Sequence, residues 1–469
     1  MLEFDFTNVC HDVIGSEHGL NIDFEFSNYS QKISDIITNI YKEKDNFSTN
    51  YPWISRYRDN VLLEEIQEYA ESVKGKFDNI IVIGHGSAIN GIKAIAAALL
   101  LPYWNTVNSE TRNGYPLIHF LTNIDPDNIN QLVSVRNLKK CLMMILSKNG
   151  TEPEVMSLFM LAKRRLEEEI GSDYREHLIT CTSKGSLLYQ IAHQEGYRCF
   201  EFPQENVGSF SILTPCGLLP LTLTGVNVDE LLSGTRDMIE ECRNPNIYKN
   251  PIAQTALLHY LSFIQKQKII SVIMSYSTRL QEIPSWCSQF KSECLLKDYD
   301  NSGRYVSVGQ TPYNVHGCND QHALLQTFLE GPNNKIINIL KIGKFDTDNL
   351  IPNFFDYTSL RYLCGKNLST LMDAEIEAMK MILTDYQRPN ITVTIPKLTP
   401  YYVGQFIGLY LMNIAFQAAL YNVNPYTKSG AENFQNYIYA QMGQTGYEET
   451  LREMKEKLEK TKRPLVLPE

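Results

Sequence analysis

Residues 79–87 read NIIVIGHGS, an apolar run that stops on glycine and leads at once into the small-residue helical stretch AINGIKAIAAALL. The same order recurs in YPLIHFLTN (115–123), KCLMMILSKNGT (140–151) and HLITCTSK (177–184). A strand that is apolar on every residue has no side for water, so it fits only a sheet covered on both faces. A polar or glycine turn and a helical pattern after each run require right-handed crossovers. Together these features predict a doubly wound, parallel α/β domain over 51–230.

The rest of the chain is organised around that unit. Residues 1–75 carry apolar residues at helical spacing, which predicts an N-terminal helical segment over 1–50. A helical bridge is expected over 231–266. KIISVIMSYS (268–277) and KIINILKIG (335–343) then resume the strand–helix rhythm, giving a second α/β domain over 267–440. A charged helix with few apolar residues closes the chain over 441–469. The most apolar stretch, 406–421, is shorter than a membrane span needs and carries Asn413 and Gln417, so a helix buried in a large core is expected.

Composition narrows the function classes. A net charge of −10 argues against a nucleic-acid or anionic-membrane partner, because both need clustered basic charge. The ten cysteines are scattered without metal-ligand spacing, so neither a metal site nor a disulfide scaffold is indicated. The start lacks the basic-then-apolar order of a signal peptide, and a cytoplasmic location is expected.

Two strand-to-helix turns are candidates for holding an anion. Gly84-His85-Gly86-Ser87 is neither a Walker loop nor a dinucleotide fingerprint, and alone it reads as readily as a plain turn. In Ser147-Lys148-Asn149-Gly150-Thr151, Thr151 is expected to cap the next helix, with Glu154 completing a reciprocal box and Pro153 in the first turn. Hydroxyls and free N–H groups at a helix start favour a phosphate, while a well-capped helix with no ligand satisfies the same pattern.

Longer segments sharpen the reading. VGSFSILTPCGLLPLTLTGVNVDELLSGTRDM (207–238), WCSQFKSECLLK (286–297), GCNDQHALLQTFLEGP (317–332) and the run 398–434 follow one another in unbroken order. They resemble successive motifs of the glucose-6-phosphate isomerase family, in particular its shorter bacterial forms. The resemblance spans roughly 75–440. It implies two three-layer α/β/α sandwich domains of the sugar-isomerase (SIS) type with parallel sheets, no metal or organic cofactor, and commonly a homodimer. It also implies a sugar phosphate substrate, with glucose 6-phosphate and fructose 6-phosphate interconverted through an enediolate.

By the same resemblance Glu293 is the proton-shuttling carboxylate, Gln289 binds substrate and His322 opens the sugar ring. Gly86 and Ser87 match the first phosphate-binding turn, and Ser147, Lys148, Asn149, Gly150 and Thr151 match the second. Four departures stand out. Glu152 replaces the second loop's last threonine, and it is expected to face solvent from the first helical position. Val207-Gly208-Ser209-Phe210 is one residue short and lacks the family's arginine. Gln435 stands where the family has its catalytic lysine, and Lys428 replaces a glutamine. Loss of one preorganised oxyanion donor costs about 10² to 10³ in rate, unless Lys428 or Lys297 substitutes. Two other readings therefore stay open: a relative that binds a sugar phosphate or protein partner without turnover, and an isomerase of another sugar.

Overall fold

The computed structural model describes residues 1–41, 53–56, 60–127, 129, 137–202, 208–427 and 429–461. The chain opens with strand β1 (Glu3–Asp5) and helix α1 (Ile22–Tyr41), followed by α2 (Asn60–Val73). The first sheet then alternates with helices: β2 (Asn79–Ile83), α3 (Gly86–Leu99), β3 (Leu117–Leu121), β4 (Cys141–Leu146), α4 (Pro153–Ile170), β5 (Leu178–Ser183), α5 (Leu187–Glu195) and β6 (Arg198–Phe202). Its spatial order is β3-β2-β4-β5-β6 with every pairing parallel. Successive residues point to opposite faces. Ile80, Val82, Leu142 and Met144 join a core with Ile89, Ile92 and the helix α6 (Pro215–Leu223). Ile81, Ile83, Met143 and Ile145 pack instead on Val155, Leu158 and Phe159 of α4. Both faces are thus covered.

Helices α7 (Val228–Glu241) and α8 (Pro251–Ile264) lead into the second unit, made of β7 (Ile270–Ser275), α9 (Ile283–Leu295), the β8 (Lys297–Tyr299) and β9 (Tyr305–Val308) hairpin, β10 (Thr311–His316), α10 (Gly317–Leu329), β11 (Lys335–Ile342), α11 (Leu368–Asp385), β12 (Asn390–Ile395) and α12 (Pro400–Tyr421). Helices α13 (Ser429–Gln441) and α14 (Glu448–Thr461) close the described chain. The second sheet has the order β1-β12-β11-β7-β10. It is parallel except at one edge, where β1 runs antiparallel to β12 with Phe4 opposite Val393. The N-terminal segment therefore contributes a strand to this sheet, where the sequence pattern suggests mostly helix. Val272, Met274, Ile337 and Ile339 meet Phe328 of α10 and Ile376 and Met379 of α11. On the other face Ile273, Ile336 and Leu340 join the central core with Trp286 and Phe290 of α9 and Ile407 of α12.

Helix α12 is longer than the apolar run inside it, and its 22 residues are enough to cross a membrane by length and composition. It lies inside the protein, with 89% of its most apolar window buried. The close approach to α7 depends on glycine: a Cβ at Gly404 would lie 2.0 Å from the Leu231 carbonyl oxygen, and Thr235 Oγ1 donates to the Gly404 carbonyl at 3.0 Å. Each large apolar side chain fully buried along α12 contributes roughly 1.5–3 kcal/mol, which suits a central strut between the two units.

Candidate active site

The first candidate anion-binding turn lies between β2 and α3. Gly86 opens α3 in the left-handed region at φ +74°, and no side chain caps the helix, so its first N–H groups stay available. Ser87 is on the first turn of α3, and its side chain lies outside the described atoms.

The second turn, Ser147–Thr151, follows β4 and is clamped to the turn after β5. Ser183 N–H donates to the Lys148 carbonyl at 3.0 Å, and Leu187 N–H donates to the Asn149 carbonyl at 3.1 Å. Gly150 has φ +71°, and a Cβ there would sit 2.5 Å from Leu188 N, so only glycine fits. Gly150 N–H donates to Ser147 Oγ at 2.7 Å.

The cap of α4 differs from expectation. The capping position is Glu152, not Thr151, and Pro153 takes the first helical position. No Thr151–Glu154 box forms. Because proline cannot donate, the usual target of such a cap is partly removed. Nor does Glu152 turn outward to solvent. Its Oε2 accepts from the Ser147 hydroxyl and, at 3.2 Å, from the Thr151 N–H. The carboxylate folds back onto the loop and takes up donors of the kind a phosphate would use.

Glu293 and Gln289 lie one turn apart on α9, both half-buried, and the Gln289 Oε1 is buried without a hydrogen-bond partner. Trp286 and Phe290, seven and three residues before Glu293, anchor α9 in the core. Phe290 meets Phe210 edge-on at 4.7 Å, and Phe210 in turn meets Tyr426 at 5.4 Å. The segment Gly208–Leu213 is thereby held between α9, α3 and the turn before α13. Val207 lies outside the described residues, as does the side chain of Ser209.

Lys297, proposed above as a replacement cation, is committed elsewhere. Its Nζ donates to the Glu293 carbonyl at 2.7 Å and to the Thr427 carbonyl, so it ties the end of α9 to the turn before α13. Lys428 lies outside the described residues. Gln435 is half-buried on α13, where its Nε2 donates to the Tyr439 hydroxyl, which donates to the Thr151 carbonyl at 2.8 Å. Gln435 is therefore linked to the second loop through Tyr439. Sequence reasoning passed over Tyr439; the available signal is its spacing of four from Gln435 on one helix face.

His322 stands apart. It is exposed on α10, which packs on β10 and α11, and among the described residues no hydrogen bond, ion pair or ring contact connects it to α9 or either loop. The structure therefore links Gln435 to the second loop through Tyr439, sets Gln289 and Glu293 on α9, whose end Lys297 ties to the turn before α13, and leaves His322 facing outward.

Two α/β units, each a mainly parallel sheet with helices on both faces, define a sugar-isomerase-type protein. A hypothetical protein, TT0462, from Thermus thermophilus shares this architecture with a TM-score of 0.82 and 28% identity, covering 95% of this chain and 100% of that one. A glucose-6-phosphate isomerase structure from Chlamydia trachomatis shares the fold with a TM-score of 0.73 at 20% identity, covering 86% and 77%. A model of the phosphoglucose isomerase family matches residues 58–443. The glucose-6-phosphate isomerase of Carboxydothermus hydrogenoformans is 32% identical over 456 residues, 97% of each chain. A probable glucose-6-phosphate isomerase of Methanococcus maripaludis is 30% identical over 433 residues, 92% of each. The chain belongs to the phosphoglucose isomerase family.

Proposed function

We propose that this protein is a phosphosugar aldose–ketose isomerase that interconverts glucose 6-phosphate and fructose 6-phosphate. The reading rests on Glu293 and Gln289, one turn apart and half-buried on α9, in a member of this family. In the proposed reaction Glu293 takes the proton from C2 of the open-chain aldose. The C1 oxygen takes up the proton that the C2 hydroxyl gives up, by way of the enediol(ate), and the same carboxyl returns the carbon-bound proton to C1 as the C2 carbonyl forms. Gln289, whose Oε1 has no partner among the described residues, accepts from a sugar hydroxyl. The first turn, Gly86-Ser87, and the second, Ser147–Thr151, receive the phosphate. His322 opens the ring, and its exposure on α10 favours delivery into the site of a second copy, in a homodimer. A cytoplasmic location fits this activity.

The position of Glu152 favours a second reading, a sugar-binding relative with weak or no turnover, because the loop's donors are already engaged. Turnover of fructose 6-phosphate by the purified protein in a coupled assay separates the two. Activity that Glu293→Gln abolishes establishes the isomerase, and a folded but inactive wild type sinks it.

A further inference from the structure

Behind α9, on the side away from Glu293, lies a group of buried polar side chains that the proposed reaction leaves unused. Lys291 is 3% exposed and His259 is 4% exposed, and both border a cavity of about 60 Å³ between α8, α9, α12 and the second sheet. That volume holds one or two particles of water's size. Lys291 Nζ donates to Gln310 Oε1 at 2.9 Å. The same oxygen faces His259 Nδ1 at 2.8 Å, and His259 Nε2 faces Asn338 Oδ1 at 2.9 Å.

The orientation of both amides is fixed from behind. Gln310 Nε2 donates to the Lys268 carbonyl at 2.7 Å, and Asn338 Nδ2 donates to the Val272 carbonyl at 2.9 Å. Turning either amide over would set oxygen against oxygen. The imidazole thus faces an acceptor on each side, and both are satisfied only when both ring nitrogens carry hydrogen, which makes the ring a cation. Lys291 adds a second cationic donor to the same Gln310 oxygen. The other ionisable groups bordering this cluster are the Cys287 thiol and the Tyr410 hydroxyl, both held neutral by burial, and among the described residues no carboxylate lies close enough to perturb either cation. Desolvation therefore drives the Lys291 ammonium down to about 7 and the His259 ring to about 3. Hydrogen-bond geometry and burial pull in opposite directions, and a buried charge is tolerated only when paired.

We propose that this cavity is a binding site for a small inorganic monoanion of about chloride's size, held by Lys291 and balancing the charge of its ammonium. The wall also carries Asn413 and Gln417, paired through Gln417 Nε2 and Asn413 Oδ1. The anion fixes the charge state of Lys291 and thereby the back of the helix that carries Gln289 and Glu293. This site is independent of the sugar phosphate and stands or falls without it.

Crystals of the full chain soaked in sodium bromide test it directly. One anomalous peak in contact with Lys291 Nζ is expected, and density at that point that refines only as water overturns the proposal. Thermal melts give a second readout, comparing bromide with equimolar gluconate, a monoanion too large for the cavity. Bromide is expected to raise the midpoint of the wild type by about 2–4 °C, and the rise disappears in Lys291→Met. Equal shifts in both proteins overturn the assignment. If Lys291→Met does not fold, the bromide peak decides alone.

Discussion

Glu293 is half-buried on a rigid helix, with Gln289 one turn before it. Glu293→Gln keeps volume and polarity but cannot carry a proton, so kcat should fall by about 10² to 10⁴ while KM changes little. Coupled-assay kinetics with a matched circular-dichroism spectrum check this. Glu152 is instead an internal anion on the loop that should receive substrate phosphate. Like charges 4 Å apart repel by about 4 kcal/mol at an effective dielectric of 20, so phosphate must displace the carboxylate or share the loop with it. Glu152→Thr removes the charge and frees the Ser147 hydroxyl and the Thr151 N–H. KM for fructose 6-phosphate should then drop about tenfold or more with kcat nearly constant, the pattern of improved uniform binding. An unchanged KM would mean that the phosphate does not meet this loop.

At the scale of elements, the second loop works only because Gly150 lets β4 turn against the start of α5. Gly150→Ala combines a positive φ with a Cβ 2.5 Å from Leu188 N. The loop must shift, at a cost of order 1–3 kcal/mol, so the thermal midpoint should fall and KM rise while the pH profile of kcat holds. Legibility in the sequence followed the same physics. Strands β2, β4 and β5 lie inside their sheet, buried on every residue, and their apolar runs announced them. Strand β10 is an edge strand with four of six residues exposed, and β6 is also at an edge, so their polar residues hid them. Strand β12 is interior yet carries Asn390, Thr392 and Thr394. β1 is three residues long and borrows its conformation from β12. Of the site, Glu293, Gln289 and the loops were legible through linear motifs. The Glu152 fold-back and the Tyr439 relay were not, because each depends on where a neighbouring backbone directs a side chain.

At the scale of the whole molecule, His322 and Glu293 sit on opposite sides of the second sheet. Helix α10 packs with α11 over Val272 and Met274, while α9 packs with α12 over Ile273 and Leu340. A histidine directed outward from one layer serves a carboxylate in the other most simply when a second chain brings it in. In the proposed homodimer, closed two-fold assembly would build two equivalent sites, each with Glu293 from one chain and His322 from the other. Mixing tests this with two inactive proteins. Glu293→Gln and His322→Ala, unfolded and refolded together, should give heterodimers in about half of the population by random pairing. Each heterodimer would contain one site carrying both lesions and one carrying neither, so about a quarter of wild-type turnover should return. If His322 served its own chain, every site in every dimer would retain one lesion and no activity would reappear. Size-exclusion chromatography of the mixture, run beside the assay, separates that outcome from a failure to pair.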